Sequence, residues 1–81
     1  MQISIKDASD LGRCVRAARK EQGMTQKELA GLFTAFSREY LSDLENGKQT
    51  VELGKALAVL SALGLRVTIT SYDDLETGAA L

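Results

Sequence analysis

No proline occurs anywhere in the chain, so glycines and capping side chains must carry the punctuation between elements. Three glycines do so, each closing an apolar stripe of helical period. Before Gly23, Leu11, Cys14, Val15 and Ala18 fall at i, i+3, i+4 and i+7, with Asp7 or Ser9 available as the cap. Arg13, Arg16 and Lys20 face away from that stripe and read as a solvated helix face. Thr25-Gln26-Lys27-Glu28 is a capping-box pattern that opens a short second helix with Leu29, Ala30, Leu32 and Phe33 as its apolar face. Periodicity weakens at Thr34-Ala35-Phe36. Ser37 then caps a third helix ending near Glu45-Asn46-Gly47. Its Tyr40, Leu41 and Leu44 share one face; Arg38, Glu39, Ser42 and Asp43 share the opposite one. A fourth helix starts at Thr50, with Leu53, Ala56, Leu57, Leu60 and Leu63 inward and Gly64 at its stop. Residues 65–70 alternate and are β-branched, which predicts a strand.

Eighty-one residues suit one domain, and 44 % hydrophobic with 26 % charged residues is the mixture of a soluble globular chain. No apolar run approaches the ~20 residues of a membrane-spanning helix, and the first residues lack a secretory pattern. The expectation is a cytoplasmic protein with no membrane partner. The single cysteine, Cys14, reads as a small core residue, and the absence of histidine removes both a Cys/His zinc site and the commonest general base. No cofactor, metal or catalytic residue is expected, and an enzyme is rejected. Net charge is −1, so there is no bulk basic footprint for nucleic acid. Residues 1–50 hold eight Lys/Arg against seven Asp/Glu, and 51–81 hold two against four. Any basic surface must be local and lie in the first fifty residues.

Two short helices joined by a tight turn, the second with a polar outer face, are the elements of a helix-turn-helix. The residues from Arg19 to Ala30 (R-x-x-x-G-x-T-Q-x-E-L-A) and from Tyr40 to Lys48 (Y-L-S-x-L-E-N-G-K) closely resemble the phage-repressor (Cro/cI, or XRE) family, over about residues 11–65. The strand after Ala-Leu-Gly-Leu looks like the HipB-type antitoxin branch, whose members are small dimers that repress their own operon and hold a HipA-type toxin kinase. The resemblance implies a mainly α fold: a small bundle of about four helices with a lambda-repressor-like helix-turn-helix and a C-terminal β-strand. Residues 1–70 would form the DNA-binding domain with its dimerisation strand, and 71–81 a flexible tail.

The function implied is a sequence-specific repressor of double-stranded operator DNA, acting as the antitoxin of a HipBA-like module. A protein-interaction module that chiefly neutralises a toxin, or a stand-alone regulator, are the alternatives. Carried over by position, Gln26 contacts phosphate, while Ser37, Arg38, Glu39, Ser42 and Asp43 match base-edge and groove-wall positions. Arg38 is the first choice for reading guanine. Lys27 and Lys48 flank the pair and position the backbone, and Tyr40 packs with its hydroxyl near the DNA backbone. Glu39 and Asp43 either accept from cytosine amino groups or weaken non-specific binding by repelling phosphates. The resemblance also pairs Arg19 with Glu45 in a partly buried ion pair. Two departures stand out: the segment from Ala30 to Tyr40 is one residue longer than usual and lacks the turn glycine, so Thr34-Ala35 must turn another way. Finally, a lone strand has unpaired edges, and a helix-turn-helix needs a second copy one helical turn away. Leu65, Arg66, Val67, Thr68, Ile69 and Thr70 are therefore the expected seam of a homodimer.

Overall fold

The structure is a computed structural model and describes residues 2–72. Four helices follow in order: α1 (Ala8–Glu21), α2 (Gln26–Leu32), α3 (Arg38–Glu45) and α4 (Leu53–Ala62). Asp7 caps α1 by accepting from the Asp10 amide at 2.8 Å. At the other end Gly23 takes φ 73°, so its amide reaches the Lys20 carbonyl (2.9 Å) and that of Met24 reaches Arg19 (3.2 Å). This double return leaves few helix-end carbonyls without a donor. The same closure, with glycine at positive φ, recurs after α3 at Gly47 and after α4 at Gly64.

One core joins all four helices: Val15 and Ala18 of α1, Leu29 of α2, Leu41 and Leu44 of α3, and Ala56, Val59 and Leu60 of α4, with Phe36 and Leu63 from the connections. Helix α3 packs against both α1 and α2. The α1–α3 crossing is so close that a Cβ on Gly12 would stand 2.5 Å from the Leu44 carbonyl oxygen and 2.7 Å from that of Glu45. Only a hydrogen fits there.

Several expectations are corrected. No strand forms among the described residues. Residues 65–70 have no ladder partner among the described residues; Val67 and Ile69 are 57 % and 77 % exposed, while Leu65 packs on the core. A strand propensity resides in side chains, but a strand exists only when backbone groups are paired. Helix α4 starts at Leu53, not Thr50, and its N-cap Glu52 makes no side-chain capping bond. Its first turn is tied to α3 instead: the Tyr40 hydroxyl donates to the Glu52 carbonyl at 2.5 Å, and the Lys55 ammonium lies 5.8 Å from the Tyr40 ring centroid. Leu53 and Leu57 are exposed, and Val59 takes the inward place. In α2 only Leu29 is buried; Leu32 and Phe33 are exposed, and Cys14 is half-buried rather than in the core. Residues 73–81, most of the expected tail, lie outside the described residues.

Candidate nucleic-acid interface

The turn between α2 and α3 solves the missing-glycine problem with aromatics. The chain leaves α2 through Phe33 in an extended conformation (φ −134°, ψ 146°), and among the described residues only glycines take positive φ. Phe36 is buried, and the Phe33 ring stacks on it with centroids 5.8 Å apart. The extra residue is thus absorbed by anchoring an apolar side chain rather than by a left-handed backbone. Immediately after Phe36 the Ser37 hydroxyl oxygen accepts from the Tyr40 amide at 3.1 Å and starts α3.

The start of α2 is equally determined. Thr25 Oγ1 accepts from the Glu28 amide and Glu28 Oε1 accepts from the Thr25 amide, both at 3.0 Å. The Thr25 amide, and to a lesser degree the Thr25 hydroxyl beside it, hold the Glu28 carboxyl below its ordinary value. Behind this helix pair Arg19 and Glu45 meet as a fork. Nε donates to Oε2 at 2.7 Å and Nη2 to Oε1 at 2.8 Å, while Nη1 donates to the Met24 carbonyl at 2.7 Å. The side chains are 8 % and 3 % exposed, so the pair lies out of water. Its hydrogen bonds raise the Arg19 pKa against the opposing effect of burial. The fork ties the end of α1 to the end of α3 and, through Met24, to the turn that launches α2.

An open groove runs beside the start of α2, lined among others by Lys20, Thr25, Gln26, Lys27 and Arg38. Among the described residues no acidic side chain lines it. Arg19 also lines the groove but is committed to Glu45; Lys20, Lys27 and Arg38 have no ion-pair partner among the described residues. The structure therefore brings Gln26, Lys27 and Arg38 together at one depression, and adds Lys20. Sequence reasoning assigned Lys20 to a solvated face. The available signal was its place in the last turn of α1, just before the glycine closure that folds the chain back towards α2.

The outer face of α3 continues from the groove. Arg38, Glu39 and Asp43 are exposed and Ser42 is half-buried. Asp43 is held by Lys48 at 3.4 Å, and Asn46 Nδ2 donates to the Ser42 hydroxyl at 3.5 Å. Tyr40 packs on the core with its hydroxyl turned to the start of α4. Its one hydroxyl proton goes to the Glu52 carbonyl and is not free for a phosphate; burial, more than the nearby Glu52 charge, raises its pKa. Among the described residues no His/Cys/Asp/Glu group of three or more could hold a metal, and no helix is long and apolar enough to cross a membrane.

Two linked short helices, the second offering a polar face beside a cationic groove, define a helix-turn-helix. The helix-turn-helix family model matches residues 15–78, most of the chain, which belongs to this family, in its Cro/cI (XRE) form: DNA-binding transcriptional regulators, not enzymes. It is 45 % identical over 69 residues to the uncharacterized HTH-type transcriptional regulator y4mF of Sinorhizobium fredii, covering 85 % of this chain and 90 % of that protein. It is 38 % identical over 58 residues to the immunity repressor protein of Bacillus phage phi105, covering 72 % of this chain but 40 % of the repressor. Among solved structures it is similar to HipB in a HipB–O4 20-mer complex and in a HipA–HipB–O2–O3 complex. Each superposes with TM-score 0.78 at 25 % identity, over 89 % of this chain and 99 % of the other.

Proposed function

We propose that the protein is a sequence-specific repressor that binds operator DNA as a homodimer and serves as the antitoxin of a HipBA-like module regulating its own operon. The observation that carries the DNA-binding mode is the cationic groove beside the polar face of α3, with no acidic lining among the described residues. One strand's phosphates lie in the groove against Lys20, Lys27 and the Gln26 amide, while α3 enters the major groove. Ser37 keeps its hydroxyl hydrogen free to donate to a phosphate, because only its oxygen is used in capping. Arg38, on the first turn of α3, reads a guanine through O6 and N7. Lys48 lies at the far end of α3 and contacts the backbone there.

Dimerisation follows from the geometry of reading. Each copy covers a few base pairs, so two must sit about 34 Å apart. Beyond Leu65, whose amide is bonded to Leu60, residues 66–70 offer unpaired backbone and the exposed Val67 and Ile69 to an identical segment, so that 65–70 form an antiparallel two-fold ribbon. The antitoxin role is supported by the likeness to HipB, which has been solved together with HipA.

Mobility shifts on the DNA upstream of the gene test this reading. Arg38→Ala should lose about 1–3 kcal/mol and relax preference at one base position. Gln26→Ala should weaken all sequences alike, and Lys27→Ala should do so while lowering the salt slope by about one. Equal affinity of Arg38→Ala and the wild type on every sequence removes Arg38 from readout. Co-purification of a kinase encoded next door supports the antitoxin role; a gene with no such neighbour leaves a stand-alone regulator.

A further inference from the structure

The acidic residues around the helix pair differ in one respect. Asp7 caps α1, Asp10 accepts from the Lys6 amide and pairs with Arg13, and Glu28 completes the capping box. Asp43 is neutralised by Lys48 and Glu45 by Arg19. Glu21, at the end of α1, and Glu39 are exposed with no hydrogen bond or ion pair among the described residues, and of these two only Glu39 lies on α3, on its first turn. So a bare carboxylate stands on the face proposed to enter DNA, beside a groove whose cations draw phosphate towards it.

We infer that Glu39 is a specificity-determining residue that accepts from the N4 amino group of a cytosine, while Asp43, held by Lys48, is a positioning residue that reads nothing. This rests on the DNA-binding reading above. A carboxylate has only acceptor atoms, so in the major groove it can meet only an amino group, of cytosine or adenine. Adenine flanks its amino group with the N7 acceptor, which repels the second carboxylate oxygen. Cytosine flanks its own with a C5 hydrogen, which does not. Thymine and guanine offer no major-groove amino group at all. Successive side chains on a helix point about 100° apart, so Arg38 and Glu39 cannot share one base. Each half-site should therefore contain a guanine for Arg38 and, separately, a cytosine for Glu39. Binding of this kind discriminates by about tenfold to a hundredfold per position.

The test is selection from a randomised operator half-site by the full chain and by the Glu39→Gln, Glu39→Ala and Asp43→Asn variants. Circular dichroism would confirm that each folds, as exposed positions allow. Wild type should require a cytosine at one position, Glu39→Gln should move that preference to adenine, and Glu39→Ala should lose it. Asp43→Asn should leave every base preference unchanged. If Glu39→Gln and Glu39→Ala tighten binding to all sequences equally, with the consensus unaltered, the carboxylate only repels phosphates and the inference falls. If they lower helix stability without altering the consensus, Glu39 merely suits the helix N-terminus, and the inference also falls. Loss of selectivity at the Arg38 position in wild type as well would overturn the DNA-binding mode itself, a distinct outcome.

Discussion

The Arg19–Glu45 fork is where one side chain matters most to the bundle. Both charges are withdrawn from water, and each depends on the other for compensation. Glu45→Ala strands the guanidinium and should destabilise the fold by about 3–5 kcal/mol, read as a lowered urea midpoint. Replacing both residues with apolar side chains of similar size should recover much of that loss, because no buried charge then remains unpaired. A second residue-scale consequence concerns acid. The Glu28 carboxyl is depressed by its capping bonds, so it binds protons less readily folded than unfolded. Its contribution is present above the unfolded pKa and disappears as pH falls through the folded one. Asp10, lowered chiefly by the Lys6 amide, behaves in the same sense. Glu28→Gln keeps an acceptor for the Thr25 amide but cannot titrate, so its thermal midpoint should fall less steeply than that of wild type below about pH 4.5. Parallel acid profiles for the two proteins would sink this account.

At the scale of elements, the crossing of α1 over α3 depends on an absent methyl group. Alanine normally improves a helix interior over glycine by ~1 kcal/mol. At Gly12 the new Cβ would press on two backbone carbonyls of α3, which cannot rotate aside as a side-chain tip could. Gly12→Ala should therefore destabilise by about 1–3 kcal/mol despite its better propensity, checked by thermal unfolding. The opposite sign would mean that the helices separate at little cost. This crossing was not legible in the sequence, because a close approach involves residues more than thirty positions apart. Capping signals were legible for the opposite reason. The Thr25–Glu28 box and Ser37 act within three residues and make the expected bonds, and of the two candidate caps for α1 it is Asp7 that bonds. Helix α4 misled because it is apolar almost all round. Leu53, Leu57 and Leu60 form one stripe and Ala56, Val59, Leu60 and Leu63 another, and periodicity alone cannot say which faces the core. Phe36 escaped notice because it is buried from a non-helical turn, where no period applies. For the candidate site, the polar face of α3 was readable from its spacing. The groove was not, since it forms only when α1, α2 and α3 converge.

On the scale of the whole molecule, a chain of net charge −1 can approach DNA only with a chosen face. Its acids near the helix pair are mostly spent on caps and ion pairs, leaving Lys20, Lys27 and Arg38 as a local positive patch. Such a patch gives one copy only modest affinity, since few phosphates are neutralised. Two rigidly joined copies engage two half-sites at the cost of a single association, so operator affinity should depend on the joint more than on any one contact. The proposed joint is residues 65–70, whose position is set at its start: Leu65 packs on the core, its backbone amide reaches the Leu60 carbonyl at 2.8 Å, and Gln22 Nε2 donates to the Leu63 carbonyl at 2.9 Å. From that fixed point the segment carries Val67 and Ile69 into solvent, where pairing with a second copy would cover them. Deleting residues 66–81 should thus leave four folded helices that sediment as a monomer and bind the operator far more weakly. Deleting only 72–81 should leave both the dimer and operator affinity intact. Sedimentation velocity and anisotropy on the same two truncations separate the possibilities: a 66–81 deletion that still sediments as a dimer overturns the ribbon, and a monomer that keeps full affinity overturns the need for two half-sites.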